Sequence, residues 1–141
     1  MVRWLFKTEP GEYSFDDLLR EKETVWTGVS AAPALANLRQ SRKGDRVFIY
    51  HTGDEKAIVG LAQLVSDPYP DPEAPELNDK GEPKVPIVRL KPLKRVPNVV
   101  TLSTIKSDAR FAQWAFVRQS RLSIVPMPGT LSKALERLAG L

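Results

Sequence analysis

Cysteine is absent from the 141 residues. That excludes disulfides, zinc–thiolate sites, iron–sulfur clusters and thiol catalysis. Histidine occurs once, as His51, so no multi-histidine metal site can be built. An oxygen-ligand magnesium site stays open chemically, but no metal and no cofactor are expected. No apolar run approaches the roughly 20 residues a helix needs to cross a bilayer. The Met1–Trp4 opening enters an apolar alternation at once and lacks the layout of a signal peptide. The expectation is a cytoplasmic protein with no membrane partner. Neither GxGxxG nor a Walker pattern occurs, so there is no phosphate-cradling glycine loop.

What is present suits one globular domain over 1–141, with 42% hydrophobic residues and a net charge of +4. A mild basic excess is compatible with a polyanionic partner. Residues 3–7 alternate as a first strand, with Trp4 and Phe6 on one face. Glu9-Pro10-Gly11 breaks it. Ser14 with Asp17 forms a capping box, and Phe15, Leu18 and Leu19 carry helical spacing to about Glu23. Val25-Trp26-Thr27-Gly28 reads as a short extended piece. Pro33 opens a second helix with Ala34, Leu35 and Leu38 on one face. Residues 46–51 predict a central strand, and residues 57–65 its neighbour. Gly60 inside the latter implies a bulge or a close backbone approach.

Residues 67–83, rich in proline and acids, predict a long surface loop. Residues 85–96 return to strand pattern, bent or edge-like because Pro86 and Pro92 donate no hydrogen bond. Thr101 caps a short helix, residues 109–114 suggest another helical turn, residues 123–125 a late strand, and Leu131, Leu135 and Leu138 a final helix stripe. The pattern is α+β, a curved sheet or small β-barrel with short helices packed around it.

Flat side chains can stack a base, at about 1–3 kcal/mol each. Most aromatics here belong to the core, but Trp26 sits in a short segment between two helices, where an indole can line a cleft. Between Lys84 and Arg121 the basic residues are Lys84, Arg89, Lys91, Lys94, Arg95, Lys106, Arg110, Arg118 and Arg121, against one acid, Asp108. That stretch is either a phosphate-binding face or a solvated edge. If Arg118-Gln119-Ser120-Arg121 is helical, the two arginines share one side, to grip phosphates or to tie down backbone carbonyls. A lone His51 beside Tyr50 and Thr52 is more often structural than catalytic. Lys7-Thr8-Glu9 offers a lysine base and a threonine nucleophile only if the strand bends at its end.

Trp4-Leu5-Phe6-Lys7-Thr8-Glu9-Pro10, Tyr13 to Leu18, Val25 to Val29, Asn37-Leu38-Arg39, Lys43-Gly44-Asp45, Phe48 to Thr52, Ile58 to Ala62, Tyr69 to Pro72 and Val117 to Ser123 occur in order. Together they resemble the EVE domain family over nearly the whole chain. The resemblance implies a PUA-like fold, related to the YTH readers of methylated adenine. It also implies a non-catalytic nucleic-acid-binding module that pockets a modified base of DNA or RNA. By position it makes Trp26 the stacking wall, with Thr27, Gly28 and Val29 offering backbone groups. Lys7, Thr8, Tyr50, His51, Thr52, Arg118, Ser120 and Arg121 line the rest. The sequence departs from the family where Thr27 replaces an aspartate and where Ser30, Ala31, Pro33, Ala34 and Leu35 replace polar and cationic residues. Two alternatives stand beside this reading. One is a small amidohydrolase of the ASCH type acting on acylated nucleosides, with Lys7 and Thr8 as its candidates. The other is a protein-interaction module without a ligand.

Overall fold

The computed structural model describes residues 2–141. Strands β1 (Val2–Thr8), β3 (Arg46–His51) and β4 (Ala57–Leu64) are buried along most of their length, as their continuous apolar runs require. β2 (Thr24–Trp26), β5 (Tyr69–Pro70), β6 (Pro86–Thr101) and β7 (Ile124–Pro126) complete the set. The order across the curled sheet is β2-β6-β4-β3-β1-β7, with β5 added on β6. β1 and β3 run parallel, and every other pairing is antiparallel. This is the expected α+β half-barrel with short helices around it.

Among the described residues five helices pack on the sheet: α1 (Phe15–Glu21), α2 (Ala32–Gln40), α3 (Leu102–Lys106), α4 (Ala115–Arg118) and α5 (Gly129–Leu138), with a 3₁₀ turn at Ala109–Phe111. α2 touches both β7, at one end of the open sheet, and β6, the strand next to the other end. Its buried residues are Ala34, Leu35 and Leu38, and proline stands in its first turn, as read from the sequence. α1 starts from the expected capping box. The Asp17 amide donates to Ser14 Oγ at 3.1 Å, and the Ser14 amide donates to Asp17 Oδ2 at 2.8 Å. That backbone bond holds the Asp17 carboxyl below its ordinary value.

Several local expectations are corrected. β6 continues through Pro97 to Thr101, because its far end pairs with the start of β4. The helical turn expected at residues 109–114 is a 3₁₀ turn followed by α4. α4 ends at Arg118, and Gln119 takes φ −124° and ψ 79°, so Arg118 and Arg121 are not neighbours on a helix. The glycine reading holds: β4 is irregular between Ile58 and Gly60, and a Cβ on Gly60 would lie 2.4 Å from the Phe15 ring. No helix is long and apolar enough to cross a membrane among the described residues.

Candidate functional site

β1 ends at Thr8 and the chain turns at once. The Glu9 carbonyl accepts the amides of Glu12 and Tyr13, each at 2.9 Å, while its carboxylate accepts the Gly11 amide at 2.7 Å. The Thr8 hydroxyl donates to the Tyr13 carbonyl at 2.7 Å and ties that turn to the strand end. The Tyr13 ring then meets Trp26 edge-on, with centroids 6.1 Å apart. Phe6, from the core face of β1, lies 5.6 Å from the same indole. Beyond Trp26, Gly28 takes φ +81°, a left-handed conformation that suits glycine. The chain there swings into the segment leading to α2.

Between these pieces lies a cavity of about 420 Å³, within the size range of small-ligand sites. Trp26, Thr27, Gly28 and Val29 form one wall, continued by Ser30 and Ala31. Lys7, Thr8, Glu9, Glu12 and Tyr13 form another, with Thr24 and Val25 beside them and Ser123 arriving from the end of the α4–β7 loop. Trp26 is 8% exposed, so the indole is mostly packed and still lines the cavity.

The titratable groups show how the walls are fixed. The Lys7 ammonium donates to the Ser120 carbonyl at 3.0 Å and sits 5.0 Å from the Phe116 ring centroid and 6.0 Å from that of Tyr50. Burial pulls it below the ordinary lysine value. The Tyr13 phenol donates to Glu21 at 2.7 Å. Burial first, with Glu21 adding to it, pushes that phenol up to about 12. Thr8 and Lys7 hydrogen-bond to two different carbonyls, so the base–nucleophile pair considered from the sequence is not formed between them.

Six of the twelve expected site residues thus meet around one cavity: Lys7, Thr8, Trp26, Thr27, Gly28 and Val29. Tyr50, His51 and Thr52 do not line it. They stand behind its walls. Tyr50 packs edge-on against Phe116 at 4.9 Å. The Phe15 amide donates to His51 Nε2 at 3.0 Å, which puts the ring proton on Nδ1, facing Glu55 at 3.0 Å. The Thr52 amide donates to the Thr8 carbonyl at 2.9 Å. Arg118, Ser120 and Arg121 line a neighbouring depression of about 380 Å³ that shares Ala31 with the cavity.

Glu9, Glu12, Tyr13, Thr24, Val25, Ser30, Ala31 and Ser123 were missed as lining residues. The break at Glu9-Pro10-Gly11 and the cap at Ser14 mark a tight turn at a strand end, which is the signal that could have found the first three. Nothing local marks Ser123. The continuous basic face also breaks up: Arg89 pairs with Glu23, Arg95 with Asp16 and Arg110 with Asp108. Two of those acids come from α1 and from the approach to β2, which the fold lays beside β6.

The curled α+β sheet, with short helices around it and an aromatic-walled cavity at the end of β1, has the PUA-like fold. The family model described as EVE domain matches residues 2–138, and the chain belongs to that family. A protein of Rhodopseudomonas palustris solved by NMR is 34% identical, with 97% of this chain and 92% of that one covered and a TM-score of 0.86. Human THYN1, crystallised with DNA containing 5-methylcytosine, has the same fold at 24% identity, with 98% and 97% covered and a TM-score of 0.85. Thymocyte nuclear protein 1 of Gallus gallus is 29% identical over 124 residues, 74% of this chain and 51% of that protein. The chain spans about half the length of the curated relatives it matches. An ASCH protein of Zymomonas mobilis shares the fold more distantly, at 13% identity and a TM-score of 0.57 over 96% of this chain and 94% of that one.

Proposed function

We propose that this chain is a non-catalytic reader that holds one modified base of a DNA or RNA strand in the Trp26 cavity. The observation that carries the reading is the cavity itself: an indole wall, backbone from Thr27 to Val29, and hydroxyls and carboxylates within one base-sized space. The indole supplies tolerant stacking. The polar wall supplies selectivity, because a base that leaves a buried polar group unpaired is penalised. The human relative solved with 5-methylcytosine-containing DNA supports the ligand class. A walled cavity admits only an unstacked base, so single strands or flipped nucleotides bind in preference to stacked duplex.

The test is a binding screen over modified nucleosides and fluorescent oligonucleotides, beginning with a single strand containing 5-methylcytosine. Trp26→Ala, checked for folding by circular dichroism, is expected to weaken binding by roughly 5- to 150-fold, the equivalent of losing one stacking contact. Trp26→Phe is expected to retain most of it. A folded Trp26→Ala protein with unchanged affinity, or a wild type that binds nothing in the panel, overturns the reading.

A further inference from the structure

We propose that the phosphate next to the pocketed base sits on the depression carrying Arg118 and Arg121. This inference rests on the base-holding reading above. The depression and the cavity share Ala31, so a nucleotide with its base against Trp26 has its sugar near the common rim. The two are also joined by a strut: Lys7, in the cavity wall, donates to the carbonyl of Ser120, in the depression. Ala31 and Pro33 contribute neither acid nor bulk on that side.

Charge points the same way. Arg89, Arg95 and Arg110 are each neutralised by a carboxylate. Arg118 meets only the neutral Gln113 oxygen, at 3.0 Å, and Arg121 makes no ion pair, among the described residues. The cavity's other wall carries Glu9 and Glu12, which repel a phosphate, while its one cation, Lys7, is turned to the Ser120 carbonyl on the depression side. A strand entering this site is therefore pushed from the acidic wall towards two exposed guanidinium groups, whose forked donors suit phosphate oxygens.

The experiment compares 5-methyl-2′-deoxycytidine, followed by NMR shifts, with a 5-methylcytosine-containing single-stranded oligonucleotide, followed by fluorescence anisotropy across a salt series. Arg118→Gln with Arg121→Gln is compared with Lys91→Gln and Lys94→Gln, an equal charge loss on exposed β6 positions. For the arginine pair we expect unchanged nucleoside shifts and weaker oligonucleotide binding. Its plot of log affinity against log salt should be shallower by about 0.7, the loss of one single-strand phosphate contact. The lysine pair should leave that slope near the wild-type value. If base binding is intact and Trp26-dependent while the arginine pair changes the slope no more than the lysine pair, the phosphate seat is wrong and the base reading stands. If the wild type binds neither probe, both fall.

Discussion

Tyr13 does two jobs with one side chain. Its ring braces the indole of Trp26, and its phenol donates to Glu21 in the last turn of α1. In the unfolded chain the phenol ionises near its ordinary value of 10.0, and in the folded protein near 12. A raised folded value means that Tyr13 contributes stability fully present below pH 10 and lost as the pH rises towards 12. Melting temperatures measured on either side of pH 10 are expected to fall more steeply for the wild type than for Tyr13→Phe, which has no phenol to ionise. Parallel curves for the two proteins would remove this role. His51 shows a related economy at the same scale: an imidazole that accepts from the Phe15 amide caps the start of α1 from across the sheet.

At the scale of elements, α1 packs beside β6 and meets β4 through Phe15, just after the turn that lines the cavity. Phe15 opens the helix, is 1% exposed and packs where Gly60 has no side chain. Gly60→Ala would drive a methyl into that ring, at 2.4 to 2.5 Å from three of its atoms. Overpacking of this kind costs about 1–3 kcal/mol. A chemical denaturation curve should show that loss, and nucleoside binding should weaken with it, because moving Phe15 moves the turn that carries Glu9 to Tyr13.

The elements that sequence foretold are those with local causes. The Ser14–Asp17 cap, the proline at the start of α2 and the glycine in β4 each act on residues a few positions away or leave a gap that any neighbour must respect. α4 was not foreseen, because it is held from a distance: the Trp114 indole donates to the Pro126 carbonyl at 2.8 Å. The last part of β6 was missed for the same reason, since Val100 and Thr101 extend only by pairing with Ile58 and Ala57. The site divides likewise. Its Trp26-to-Val29 wall was legible as a motif, whereas Ser123, and the neutralisation of Arg89 and Arg95, depend on segments brought together from far along the chain.

At the scale of the whole molecule, the parallel pairing of β1 with β3 governs folding. Parallel neighbours cannot be joined by a tight turn, and here the connection takes residues 9–45. Such non-local pairing predicts refolding in roughly milliseconds to seconds, slower than a helical bundle of similar length. Stopped-flow tryptophan fluorescence measures it, and microsecond refolding would contradict the argument. β1 also pairs with β7 on its other side, so it is enclosed by strands from the middle and from the far part of the sequence. Ser123 and the arginine-bearing loop arrive only with β7. Strand β7 is thus the clasp of the molecule: its seat on β1 sets Ser123 and the 118–121 loop beside a cavity whose other lining residues all fall between Lys7 and Ala31.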